Sequence, residues 1–227
     1  MRLFKRKPQS FNLQVQDILF RVTAPEEYYE ECRAAALSVW EQLSAYSVRD
    51  PHFRTSKRPV DVRDDAAPLI REMAEIARVA GVGPVFTIQG AITDHVGRYL
   101  ARALPEVLVS SGGDYFIRSK RRMKLVVHHT PDGRPLSVVV DPRHVTNGVS
   151  TTFGRGQLPA RSVDGLTVLA SSCMLADAAS AAAMAILSRP NELRQALAYL
   201  RDIPGLHGAV VFQGERIGVV GGLEVAA

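Results

Sequence analysis

A single carboxylate, Asp177, stands in the stretch Leu175-Ala176-Asp177-Ala178-Ala179-Ser180-Ala181-Ala182-Ala183. Alanine has the strongest helix propensity, so the run predicts a helix. Its thin side chains would let another backbone or a ligand come close. Asp177 is expected near the start of that helix, after the candidate caps Ser171 and Ser172. No Lys or Arg lies within four residues of it, so no local helical pair neutralises its charge. A carboxylate in that setting needs a backbone amide, a distant cation or a metal ion. Taken by itself, a solvated first-turn acid that favours the helix dipole is the simpler expectation.

Two further segments carry groups suited to ligand binding. In Ser111-Gly112-Gly113-Asp114, paired glycines permit a tight turn between strands and close approach of a ligand to the main chain. Asp114 could hydrogen-bond that ligand or satisfy amides of its own turn. Thr151-Thr152-Phe153-Gly154-Arg155-Gly156-Gln157 reads as a polar, glycine-punctuated loop after a strand. Its amides, hydroxyls and guanidinium would suit phosphate oxygens, although no Gly-Lys-Ser/Thr follows to make it a P-loop. Gly81-Val82-Gly83 precedes Pro84 and lacks the strand and acid of a dinucleotide fingerprint. Adjacent His128 and His129 would point to opposite sheet faces, and His95, His144 and His207 have no Cys or Glu at ligand spacing. No Gly-x-Ser-x-Gly nucleophile elbow is present.

The elements that must position these groups belong to an ordinary globular chain. It has 227 residues, 46% hydrophobic and 22% charged, enough for one domain. The net charge of +5 owes much to Arg2, Lys5, Arg6 and Lys7 in a basic tail over residues 1–10. A second basic cluster, Ser119-Lys120-Arg121-Arg122, lacks interleaved aromatics, so specific nucleic-acid binding is not expected. Cys32 and Cys173 have no metal-type spacing and read as buried free thiols. No secretory or membrane-spanning segment is recognisable, which makes a cytoplasmic location the expectation.

Alternation over residues 11–23 predicts a strand, followed by a helix over about 25–47 with Thr23 and Glu26 as a capping box. Helices are expected at about 66–80 and through Ile88, Ile92, Val96, Tyr99, Leu100 and Ala103. Strands follow around 107–109, 115–117, 144–150 and 164–170. Leu125–His129 and Leu136–Val140 flank the turn signal Pro131-Asp132-Gly133-Arg134. After the alanine helix come another at about 191–202 and a closing hairpin, 208–212 with 216–220, turning at Gln213-Gly214. Grouped helices between antiparallel strands predict an α+β fold in one domain, residues 11–227. Exposed strand edges make self-association an expectation as well.

Taken in order, these pieces resemble the cytoplasmic ApbE-like family. The resemblance rests on Pro51-His52-Phe53-Arg54-Thr55-Ser56, Ala66–Glu75, Ala80-Gly81-Val82-Gly83-Pro84, Gly90-Ala91-Ile92, Gly112-Gly113-Asp114 and Leu175-Ala176-Asp177-Ala178-Ala179. It spans about residues 11–224 and is specific in combination, each piece being weak alone. It implies a T-fold-like α+β architecture. Flavin-transferring ApbE relatives are magnesium-dependent enzymes that take FMN from FAD and attach it to a protein threonine. In them an Asp at the Ala-Asp helix start and a Thr four residues later help hold the metal. Asp177 matches the first position, but Ala181 stands at the second, with Ser180 as a neighbouring substitute. The His-x-x-Asp-Pro element of the transferases has no counterpart between Gly156 and Asp164.

These departures put flavin transfer itself in question and leave ligand binding in the same cleft as the expectation. Gly112, Gly113 and Asp114 would line a site for FAD, FMN or a similar anionic planar ligand. Thr151, Thr152, Gly154 and Arg155 would stand opposite. Asp177, with Ser180, would hold Mg2+ in an oxygen-rich shell. Two alternatives stay open: a small-molecule hydrolase or isomerase with Asp177 or Asp114 as general base, and a non-catalytic assembly protein.

Overall fold

The computed structural model describes residues 9–129, 135–142, 147–153, 163–189 and 192–226, without the side chains of His128, His129 and Phe153. The basic tail up to Pro8, the turn 131–134 and the segment from Gly154 to Gln157 therefore lie outside the described residues. The chain folds as an α+β structure. Among the described residues, eleven strands form an eight-stranded sheet, ordered β1-β2-β3-β4-β7-β8-β9-β10, and a three-stranded sheet, β11-β6-β5. All pairings are antiparallel.

The first strand expectation needs correction. Residues 11–23 form not one strand but a hairpin, β1 (Phe11–Val15) and β2 (Ile18–Thr23), with Val15 opposite Ile18. Gln16 takes a positive φ of 54° in the turn. Without a Gly or Asn there, the alternation gives no sign of the reversal. The capping box fails too. Thr23 ends β2, and α1 (Tyr29–Arg49) begins after a 3-10 turn with no side-chain cap.

The helices α2 (Pro68–Val79), α3 (Ile88–Leu100), α4 (Cys173–Leu187) and α5 (Leu193–Arg201) lie close to their expected spans, although Ala103 falls beyond the end of α3. In the middle of the chain, β3 (Val107–Ser111) turns into β4 (Asp114–Arg118), and β5 (Met123–His129) pairs with β6 (Pro135–Val140). The remaining strands are β7 (Asn147–Phe153), β8 (Gly165–Ala170), β9 (Leu206–Gln213), β10 (Arg216–Gly221) and a short β11 (Val225–Ala226). Thr151 to Phe153 thus extend a strand rather than opening a loop.

Helices cover one face of the large sheet and the small sheet covers the centre of the other. Val149, Leu169, Val210 and Phe212 meet Met123, Val127, Val138 and Val140 between the sheets. On the helical face, Leu166, Val168 and Ala170 pack under Ala176, Ala179 and Ala183 of α4. Helix α4 is apolar nearly all round because it is enclosed on most sides by sheet and helices. Its close approach to α3 depends on Gly90: a Cβ there would sit 2.6 Å from the Met174 amide nitrogen. Cys32 and Cys173 are buried free thiols, as expected. No single helix among the described residues is long and apolar enough to cross a membrane. Only α2 together with the segment Pro84–Leu100 reaches that length, and the pair is bent by 109°.

Candidate functional site

A cleft of about 1070 Å³ opens between α4 and the turn joining β3 to β4. The turn forms where the sequence demands it. Gly112 has a φ of +58°, and a Cβ on Gly113 would lie 2.0 Å from the carbonyl oxygen of Thr151. The Thr151 amide donates to the Gly113 carbonyl at 2.9 Å, which locks the turn to β7. Gln89, from the first turn of α3, donates from Nε2 to the Ser111 carbonyl at 3.0 Å. Strand pairing then sets Asp114 directly opposite Ser150.

This geometry changes the expected arrangement. Thr151 and Thr152 do not stand opposite Gly112, Gly113 and Asp114; all five belong to one wall. The facing wall is α4, presenting Asp177, Ser180, Ala181, Met184, Ala185 and Ser188, and the apolar end is closed by Val85 and Phe86. Strand alternation also separates the two threonines. Thr151 shares a face with Val149, and its Oγ1 lies 3.2 Å from the buried Thr167 Oγ1. Its hydroxyl is therefore engaged beneath the cleft, and Ser150, with Thr152, supplies the hydroxyls on the α4 side. Gly154 and Arg155 lie outside the described residues.

Asp177 is not a solvated first-turn acid. Ser172 caps α4, accepting from the Leu175 amide at 3.2 Å, which makes Asp177 the fifth helical residue. Its Oδ1 is sealed from solvent and has no hydrogen-bond partner among the described residues, and the same holds for Ser180 Oγ three positions on. Burial raises the Asp177 carboxyl well above the usual carboxylate range, and the facing Asp114 carboxyl pushes it further. Asp114 is only 9% exposed, and burial raises it too, against hydrogen bonds with Asp177 and Ser150. The two acids titrate as a pair and favour keeping a proton between them. No Lys or Arg lines the cleft among the described residues.

Asp94, which holds the start of α4, was not singled out from the sequence. It is 1% exposed, and its carboxylate accepts from the Cys173 amide at 2.9 Å and the Met174 amide at 3.1 Å. It therefore pins the N-terminus of α4 to α3 and so sets where Asp177 projects. The available signal was one acid between the apolar positions Ile92 and Val96. Ser150, Phe86 and Gln89 were not assigned to the site from the sequence either: strand register brings Ser150 to the cleft, and the turn leading into α3 and the helix's own first turn bring Phe86 and Gln89.

Residues 1–214 match the family model described as AbpE bacteria. The chain belongs to that family. It is 31% identical over 214 residues to a UPF0280 protein of Methanopyrus kandleri, covering 90% of this chain and 86% of that protein. A UPF0280 protein of Methanocella arvoryzae is 27% identical, covering 97% and 91%. The fold is similar to that of flavin transferase ApbE from Vibrio cholerae, with a TM-score of 0.61, 11% identity and 97% of each chain covered. Pseudomonas stutzeri flavinyl transferase ApbE in its apo form gives a TM-score of 0.60 at 17% identity, covering 97% of this chain and 96% of that one. The family membership bears out the resemblance read from the sequence.

Proposed function

We propose that the cleft binds a flavin nucleotide, FMN or FAD, together with a divalent cation held at Asp177. The observation that carries this reading is the pair of buried, partnerless oxygens, Asp177 Oδ1 and Ser180 Oγ, on the wall facing Asp114. A buried acceptor left without a partner is unfavourable, and a ligand supplies the missing contact. The donors fit a hard cation such as Mg2+: carboxylates and hydroxyls, without sulfur or imidazole. Among the described residues there is no group of three or more acids, histidines or cysteines, so backbone oxygens, water and ligand phosphates would complete the shell.

A cation bound there supplies neutralisation of phosphate charge and polarisation of the bond between phosphates. The chain's own residues provide the rest. The Gly112-Gly113 turn admits a ligand against the main chain, while Asp114 and Ser150 orient polar edges. Val85, Phe86 and Met184 offer an apolar surface to a planar ring. The flavin chemistry of the structural neighbours supports the choice of ligand, since they share this fold. Ala181 leaves a methyl group where the transferring relatives place a hydroxyl, so binding is proposed ahead of transfer.

The facing Asp114 and Asp177 carboxyls favour one second reading, a hydrolase or isomerase in which a protonated acid serves as proton donor. Fluorescence titration of FMN and FAD, with and without Mg2+, tests the first reading. Magnesium-enhanced binding is expected in the wild type and is lost in Asp177→Ala. Absence of binding to both flavins, with or without Mg2+, would overturn it.

A further inference from the structure

The geometry points to a second binding site, remote from the cleft, for a small oxyanion such as a carboxylate or phosphate group. It is a pocket of about 330 Å³ between α1, α2 and α3, lined by Gln42, Glu72, His95, Arg98, Tyr99 and Arg102, with Pro68 and Leu69 adding apolar surface. Two arginines and one glutamate leave it with a net positive charge. Arg98 is satisfied, with Nη2 2.8 Å from Glu72 Oε1. Arg102 makes no ion pair among the described residues, so its guanidinium is available to an incoming anion. Burial, followed by Arg98 and Arg102, holds the His95 imidazole below its usual value. His95, Tyr99 and Gln42 add polar groups that can hydrogen-bond the oxyanion.

The pocket is wired to the cleft through one side chain. The guanidinium nitrogen of Arg98 that binds Glu72 also lies 3.8 Å from Asp94 Oδ2. That Asp94 carboxylate holds the Cys173 and Met174 amides at the start of α4. A nearly fully buried carboxylate depends on every compensating partner it has. An oxyanion held by Arg102 beside Arg98 competes for the Arg98 charge that compensates Asp94, and the first turn of α4 responds. The site therefore reads anion concentration into the helix that carries Asp177. This inference does not rest on the flavin reading.

Titration of the protein with inorganic phosphate and with succinate, followed by amide and imidazole NMR shifts, tests it. Saturable shifts are expected at His95 and Arg102, together with the amides of Cys173 and Met174, for at least one anion. Arg102→Gln, a substitution of an exposed side chain, is expected to weaken that anion at least tenfold. Absence of saturable shifts with both anions would overturn the site, as would equal affinity in Arg102→Gln. Saturable shifts confined to α1, α2 and α3 would overturn the connection to α4.

Discussion

Asp94 Oδ1 accepts a hydrogen bond from the Cys173 amide at 2.9 Å, across a separation of 79 residues in the chain. That contact, repeated by Oδ2 at Met174, fixes the first turn of α4 against α3. The position of Asp177 in the cleft is thus set from outside the cleft.

Replacing Asp94 by Asn leaves one α4 amide facing an NH2 group instead of an acceptor. Asp94→Asn is expected to destabilise the fold by about 1–3 kcal/mol, the range for a lost charged hydrogen bond plus an unsatisfied donor. Urea unfolding followed by circular dichroism measures it. Unchanged stability would show that α4 is held by packing alone.

The carboxyl pair predicts a specific pH dependence for the metal-free protein. Both Asp177 and Asp114 are raised in the fold, mainly by burial. The native state therefore holds protons that the unfolded chain, near its ordinary carboxylate range, has released. Their contribution is fully present below the unfolded value and is lost as pH rises through the folded values. Stability should fall between mildly acidic and neutral pH. Asp177→Asn removes the group that must keep its proton or bury a charge, so it should flatten that profile and raise stability at neutral pH. A wild-type profile rising over the same interval would contradict the raised values.

Much of the fold was legible because its patterns are local. The α4 run of alanines, the Gly112-Gly113 turn and the Gln213-Gly214 hairpin each carry their own conformational signal. Gln16 shows the limit: its positive φ is imposed by the pairing of β1 with β2, which no residue type announces. In the candidate site, Gly113 and Asp114 stood out by residue type, whereas Asp177 and Ser180 were assigned to it only by the resemblance to the ApbE-like family. The wall that each occupies was not legible. That Thr151 stands beside Gly113, with its hydroxyl turned to Thr167, follows from strand register. The role of Asp94 depends on a contact between distant segments and left only one acid between the apolar positions Ile92 and Val96 as its trace.

Gly113 is expected to tolerate no side chain. In Gly113→Ala the new Cβ meets the Thr151 carbonyl at 2.0 Å, so β4 and β7 must separate. Overpacking of this kind costs about 1–3 kcal/mol. Thermal unfolding should report the loss, and flavin affinity should fall with it. An unperturbed melting temperature would show that the strands yield freely.

Ser180 separates stability from binding. Its hydroxyl is buried without a partner, so Ser180→Ala should leave the unliganded protein unchanged or slightly more stable. The same change should weaken magnesium-dependent flavin binding several-fold, and Ala181→Thr should strengthen it. Loss of stability in Ser180→Ala would instead mark the hydroxyl as structural.

The most direct test locates the cation. Mn2+ added with FMN to the labelled protein broadens amide signals near the site it occupies. Broadening centred on Asp177, Ser180 and Asp114, and abolished in Asp177→Ala, is the predicted result. Broadening centred elsewhere, or unchanged in that variant, would contradict the assignment of the cleft.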